Sequence, residues 1–258
     1  MRILRKLLTE KTAILAFVLL WEVVTRLGLV NQIFIPPFSK VVAAMWFLIQ
    51  NGYLVKHTLI SLERALGGFL LAAVIAIPLG LLMGGWFRRI QLVLNPLFEI
   101  AAQANPFILF HIVILFLGIG ELAKVSIIAW ICIWPILFNT AAGVRNVDSV
   151  LLRAAQSFGL NRRQLFFKVI LPASAPAIFT GLRVSAGYSF FLLIAAEMMG
   201  SSSGLGWLIL YSQENYNIQW IFAGATMIAI LGLTMDTILQ IIERRTVVWE
   251  NGATDALR

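Results

Sequence analysis

Polar and ionisable side chains stand inside apolar runs of this chain: among them Glu99, Gln103, Asn105 and His111 in one, Arg183 and Glu197 near the two ends of another, and Asp236 as the sole charge of a third. An ionisable group held in hydrocarbon costs about 2.5–3.5 kcal/mol on insertion scales, so it faces protein or water. Gln103, Asn105 and His111 gather around Pro106, with Pro96 a few turns earlier. A broken helix frees backbone groups, and such breaks at membrane depth occur where the chain lines a polar path. These residues are therefore candidates for lining a route for a polar solute. The alternative is that they satisfy one another and the kinks, and the residues alone leave both open. Arg183 has three outlets: a positive site for an anion, snorkelling to the inner surface, or a partner within the fold.

Other chemistries lack their parts. His57 and His111 are far apart, and neither has a second His, Cys or carboxylate at ligand spacing, so no metal site is expected. No nucleophile with an adjacent base is visible, and no catalytic residue is assigned, which argues against a membrane-embedded enzyme. Cys132, the single cysteine, lies in an apolar run and is expected to pack there. The chain has no Gly-x-x-x-x-Gly-Lys-Ser/Thr, so it carries no phosphate-cradling loop of its own.

The elements that must position these residues are membrane spans. Of 258 residues, 60% are hydrophobic and 12% charged, and mean hydropathy is +0.90. A soluble domain carries roughly 25% charged residues. About 20 apolar residues cross a bilayer as a helix, and six segments meet or approach that: about 12–29, 66–86, 90–117, 125–144, 178–199 and 220–242. Glu22 and Arg26 in the first are four apart and can pair. The N-terminal run has no small-x-small cleavage site and is expected to be a retained span. Val41 to Ile49 is expected as a short helix at the outer interface, with Trp207, Tyr211 and Trp220 in an interfacial aromatic belt.

The net charge of +8 falls in short loops, with no basic stripe and no interleaved aromatics, so nucleic acid is not an expected partner. With the N-terminus inside, fourteen Lys and Arg lie on inner segments and Lys40, Lys56 and Lys124 on outer ones; Arg26, Arg64 and Arg183 lie in or beside spans. That bias places both termini in the cytoplasm. The whole chain, 1–258, reads as one transmembrane domain.

The inner loop 145–172 follows the fourth span. Asp148 is an N-cap, Ser149 to Phe158 a helix, and Gly159 its left-handed C-terminal residue. Asn161 caps a second short helix that continues towards Pro172. Ala154 and Ala155 leave one flank with little bulk, so another protein could approach the backbone closely.

This loop resembles the EAA loop of permeases in binding-protein-dependent ABC importers: Glu-Ala-Ala, three residues, Gly, nine residues, then Ile-x-Leu-Pro. Ala154, Ala155, Gly159, Leu171 and Pro172 fall on the pattern, Val169 takes the Ile position, and Arg153 replaces the Glu, as is common in the taurine and sulfonate branch. Glu197, Gly200, Gly204 and Gly206, together with Gly118-Ile-Gly-Glu121, Pro36-Pro37 and Glu243-Arg-Arg245, are similar to that branch as well.

The resemblance implies an all-α integral membrane protein of the type I importer permease fold, in the bacterial inner membrane. It implies that Arg153, Ala154, Ala155, Gly159, Leu171 and Pro172 couple the chain to a cytoplasmic ABC ATPase dimer, where ATP and Mg are bound. A second permease copy, making a homodimer, and a periplasmic or lipid-anchored solute-binding protein are the other implied partners. Gln103, Asn105, His111 and Arg183 are expected along the solute path. Glu197, Gly204 and Gly206 are expected at an outer gate or docking surface. The implied solute is small and anionic, of the sulfonate, taurine, nitrate or bicarbonate type. An organic precursor such as a pyrimidine is the alternative within the class, and an uncoupled channel or scaffold the alternative outside it.

Overall fold

The computed structural model describes residues 2–85 and 88–247, all of whose regular structure is helical. In order these are α1 (Arg2–Arg26), α2 (Phe38–Gln50), α3 (Tyr53–Gly84), α4 (Arg88–Gln103), α5 (Pro106–Leu117), α6 (Glu121–Arg145), α7 (Ser149–Ser157) and α8 (Arg162–Leu165). A π-helical segment, Phe166–Ile170, then leads into α9 (Leu171–Gly200), α10 (Leu205–Glu214) and α11 (Ile218–Thr246). Trp86, at the expected end of the second span, and Arg258, counted with the inner charges, lie outside the described residues.

Among the described residues, four helical stretches are long and apolar enough to cross a membrane: Tyr53–Gly84, Glu121–Arg145, Arg162–Gly200 and Ile218–Thr246. The bent pair Val93–Gln103 and Pro106–Leu117 makes a fifth if its halves count as one span. The segment 12–26 lies within α1, where Glu22 and Arg26 shorten the uncharged run. Several boundaries differ from those expected. The second apolar helix begins at Tyr53 rather than Leu66, absorbing residues read as outer loop. The fifth joins the preceding loop, because the π segment carries the chain past Pro172 without a break. Proline donates no hydrogen bond, and the wider turn, closed by Leu171 N–H to the Phe166 carbonyl, accommodates it.

The residues group into two compact units. One comprises the chain up to Ser61 with Ser201–Ala229. Here the Trp21 indole donates to the Pro36 carbonyl at 3.1 Å and packs against Phe38 and Phe222. Glu22 pairs with Arg26 at 2.6 Å, as its spacing predicts, and also accepts the Ser39 N–H at 3.0 Å near the start of α2. One orphan donor at a helix start thereby finds an anion.

The other unit comprises Leu62–Gly200 with the chain from Ile230. Gly68, Ala72, Ala76, Gly80 and Gly84 recur every four residues on α3, forming one stripe. A Cβ at Gly68, Gly80 or Gly84 would stand 2.5–2.7 Å from Ile128, Thr140 or Val144 of α6. In lipid, where burial drives little helix association, small residues permit this close approach. α9 also packs closely on α6: Cys132 donates to the Ser185 carbonyl, and the Ser185 hydroxyl to the Cys132 carbonyl at 2.8 Å. Cys132 therefore packs where the sequence placed it.

Candidate functional site

The loop 145–172 is built from local caps. Asp148 accepts the Val150 N–H at 2.8 Å, starting α7. At its end Gly159 has φ +76°, Leu160 N–H reaches the Ala155 carbonyl and Gly159 N–H the Gln156 carbonyl. That pair of bonds is the Schellman arrangement, which glycine adopts without Cβ strain. Asn161 and Gln164 then exchange side-chain and backbone bonds at 2.9 and 3.1 Å, a capping box that opens α8. Val150, Leu151, Phe158 and Phe167 are exposed, Phe158 to 84%. Arg153 is exposed too, its guanidinium turned back to Ser149.

The expected flank of two small residues is only half present. Ala154 is exposed, but Ala155 is 8% exposed and faces the chain's own interior. Adjacent residues on a helix point about 100° apart, so one face cannot hold both. Leu171 and Pro172 are half-buried and belong to the start of α9, not to the exposed turn.

The apolar stretch bearing Gln103, Asn105 and His111 bends by 89°. Asn105 makes the corner: its side chain accepts the Phe107 N–H at 2.9 Å, and Pro106 occupies the first helical position, where no N–H is needed. His111 Nδ1 lies 2.8 Å from the Phe107 carbonyl. Gln103, Asn105 and His111 are all exposed. Arg183 is elsewhere, joined to Asp236 of α11 at 2.8 Å and within 3.6 Å of Glu243. Of its three outlets, the partner within the fold is the one the structure contains. The four residues grouped as a solute path thus fall in two places.

Glu197 is fully buried, and its carboxylate accepts from Arg64 Nη1 at 2.8 Å. Arg64, 4% exposed, grips Glu121 with its other edge, Nε and Nη2 at 2.5 and 2.6 Å, and Lys124 joins Glu121 at 3.1 Å. Two cations and two carboxylates from α3, α6 and α9 therefore form one charge-balanced cluster. Glu197 is a structural counter-ion as well as a residue beside the Gly-rich turn.

The sequence pattern of the binding-protein-dependent transport system inner membrane components matches residues 76–248. The chain belongs to this family. It is 34% identical over 232 residues to SsuC of Bacillus subtilis, assigned as an aliphatic sulfonates transport permease, covering 90% of this chain and 84% of that one. It is 30% identical over 234 residues to the taurine transport system permease TauC of Escherichia coli, covering 89% and 85%. Among solved structures, a chain of the MetNI methionine ABC transporter in inward-facing conformations superposes with a TM-score of 0.61 at 17% identity. It covers 78% of this chain and 97% of that one. The fold is that of a type I importer permease, and the chain is the membrane permease subunit of an ABC importer.

The family match includes the loop, the bend, Arg183, Glu197, Gly204 and Gly206 but begins after Arg64 and His57. In this permease Gly204 has φ +113°, a region closed to residues with a Cβ, and its N–H donates to His57 Nδ1 at 2.9 Å. Leu205 N–H donates to Ser61 Oγ at 2.8 Å, so His57 and Ser61, one turn apart on α3, satisfy the first donors of α10. Gly206 is buried in the first turn of α10. Trp207 stacks on His57 and on Tyr211, and Trp220 packs near Tyr53. The three aromatics of the expected belt thus also pack with His57 and Tyr53. Reading residues missed Arg64, Lys124, His57 and Ser61 as site residues. The available signal was an Arg one turn after a Ser and two turns after a His, at the mouth of an uncharged run.

Proposed function

We propose that this permease translocates a small anionic solute, of the sulfonate, taurine, nitrate or bicarbonate type, handed over by an extracytoplasmic binding protein. ATP and Mg act on a separate cytoplasmic ATPase dimer, and two copies of this chain form the translocation unit. Loop 145–172 is the seat for the ATPase: Phe158, Ala154 and Arg153 present outward from a helix whose ends are locked by Asp148 and Gly159. That exposed, doubly capped loop, on the family's spacing and between two membrane-crossing helices, is the observation that carries the reading. In this reading α1 is a sixth span and both termini are cytoplasmic, in keeping with the Lys and Arg bias. Gln103, Asn105 and His111 line the path at the bend. Glu197 acts through its ion pair on the outer side, and Gly204 and Gly206 shape the turn presented there.

The test is co-purification with a Walker-motif ATPase and vanadate-sensitive uptake in proteoliposomes supplied with the binding protein. Uptake insensitive to vanadate and independent of the ATPase would refute an energised importer. In a Cys132-free background, single cysteines at Asn51 and Ser202 should react with an impermeant thiol reagent from outside, and one at Asn161 should not. The reverse pattern would invert the topology.

A further inference from the structure

The cluster of Arg64, Lys124, Glu121 and Glu197 is unevenly buried. Arg64, Lys124 and Glu197 are each at most 5% exposed at the side chain, whereas Glu121 is 62% exposed. Within the buried part of the cluster two positive charges face one carboxylate, and the balance is restored by a carboxylate that water already reaches. Glu121 makes three polar contacts within the cluster, yet it is the one member that stands at a helix start rather than inside a helix. It opens α6 immediately after Gly118-Ile-Gly120, and nothing lies within 4 Å of where a Cβ would stand at Gly118 or Gly120. Glu197, by contrast, sits inside α9 with no exposed surface.

Glu121 meets Arg64 side-on, two carboxylate oxygens on Nε and Nη2. This fork fits any planar or tetrahedral oxyanion that can offer two oxygens, which is the reason Arg recurs in carboxylate and phosphate recognition. Buried ion pairs add little net stability over an apolar replacement, so the arrangement calls for another explanation than holding three helices together.

We propose that Arg64 and Lys124 form a receiving site for a small oxyanion, sulfonate or carboxylate in kind, in which the Glu121 carboxylate stands while no solute is present. The inference rests on the anionic-solute reading above and names a site for it. An arriving oxyanion takes the Nε–Nη2 edge of Arg64 and the ammonium of Lys124. Glu121 swings out to water on its glycine-flanked turn, and Glu197 keeps its own bond to Nη1 throughout. Glu121 then acts as an internal competitor that keeps the site charge-neutral when empty.

The experiment uses the permease assembled with its ATPase in nanodiscs and radiolabelled methanesulfonate as the probe, with equilibrium binding measured at fixed chloride concentration. Glu121→Gln keeps the side-chain shape and removes the competing charge, and it should tighten methanesulfonate binding by about tenfold or more. Because Arg64→Gln alone would strand the Glu197 charge, the cation is removed together with its buried partner. The triple variant Glu121→Gln, Arg64→Gln, Glu197→Gln should lose that gain and bind no better than wild type. A Glu121→Gln complex that binds no tighter than wild type overturns the proposal, as does a triple variant that keeps the gain. The solute reading fails separately: vanadate-sensitive uptake of neutral uracil, and of none of methanesulfonate, taurine, nitrate or bicarbonate, would refute it. Binding to the permease is read without transport, so the two failures are distinct.

Discussion

The loop 145–172 and the buried charge cluster are assembled on opposite plans. In the loop, hydrogen bonds join residues two to five positions apart: Asp148 with Val150, Asn161 with Gln164, Leu160 with Ala155. In the cluster, Arg64 reaches partners 57 and 133 positions away. The loop carries its own instructions and presents exposed side chains, so it can keep its shape as a partner comes and goes. The cluster exists only after α3, α6 and α9 have packed. A change in the loop should therefore act on coupling and spare assembly, while a change at the cluster's buried members, Arg64 and Glu197, should act on assembly first.

The sharpest break of this contrast is Arg64→Gln alone. It leaves Glu197 buried without its guanidinium, which costs about 3–5 kcal/mol in buried pairs of known proteins. The permease should lose thermal stability in detergent and yield poorly. Arg64→Gln with Glu197→Gln should recover most of that loss, because two neutral groups of similar shape replace a stranded charge. Equal stability of the single variant and wild type would mean that water or another cation already serves Glu197.

Within the loop the largest effect belongs to Gly159. Valine there must hold a left-handed backbone at a cost of about 1–2 kcal/mol, and nothing lies within 4 Å of its Cβ to clash. The penalty is therefore conformational and local. Permease yield and thermal stability should stay near wild type, while ATPase co-purification and uptake collapse. Ala154→Glu should do the same by altering the docking surface. Ala155→Glu should instead destabilise α7 itself, since Ala155 is turned inward. If Ala154→Glu and Ala155→Glu cannot be told apart by thermal stability, the two alanines do not face different ways.

The same division explains what could be read from residues alone. Caps and turns declare themselves within a few positions, so Asp148, Gly159 and Asn161 were legible, as was the pair Glu22–Arg26. Apolar length announced the helices but not their ends: nothing in composition says that α3 starts at Tyr53, because residues 53–65 are only moderately apolar and are recruited by contacts around His57 and Ser61. The four-residue stripe of small side chains on α3 was visible in principle and marks the face against α6. The Arg64 cluster was not legible, since three of its members stand near the ends of different apolar runs and only Glu121 and Lys124 are close in sequence. Ala155 shows a finer limit. Spacing identified the motif, but only the packed helix decides which of its two alanines a partner can touch.

A smaller effect sharpens the loop's side of the contrast. Asn161→Ala removes one half of the capping box, worth about 1 kcal/mol at a helix start. The backbone beyond it continues directly into the π segment and α9, so the element cannot unravel far. Substrate-stimulated ATP hydrolysis should fall by a few-fold at most, and less than in Gly159→Val. A loss as deep as that of Gly159→Val would show that the second cap, not the turn, sets the position of α7.

The smallest expected stability change is at Arg183–Asp236, and it carries the most information about the solute path. Both side chains are more than a third exposed, at 35% and 41%, so their attraction is screened, and pairs of this kind contribute about 0.2–1 kcal/mol. Arg183 also lies 3.6 Å from Glu243, so a partner remains when Asp236 is neutralised. Asp236→Asn should therefore leave thermal stability within a degree or two of wild type. Its effect on uptake separates two roles for Arg183. If the guanidinium serves only to tie α9 to α11, Arg183→Gln, Asp236→Asn and the double variant should transport alike, close to wild type. If it also meets the anion in passing, Arg183→Gln should lower uptake while Asp236→Asn, which frees one edge of the guanidinium, raises the apparent affinity. The double variant should then follow Arg183→Gln. Uptake measured across a range of solute concentrations distinguishes the patterns, because the second places its change in KM and the first moves neither KM nor the maximal rate. Given a fork already filled by Asp236 at 2.8 Å, the expected result is the first: near-equal transport by all three variants.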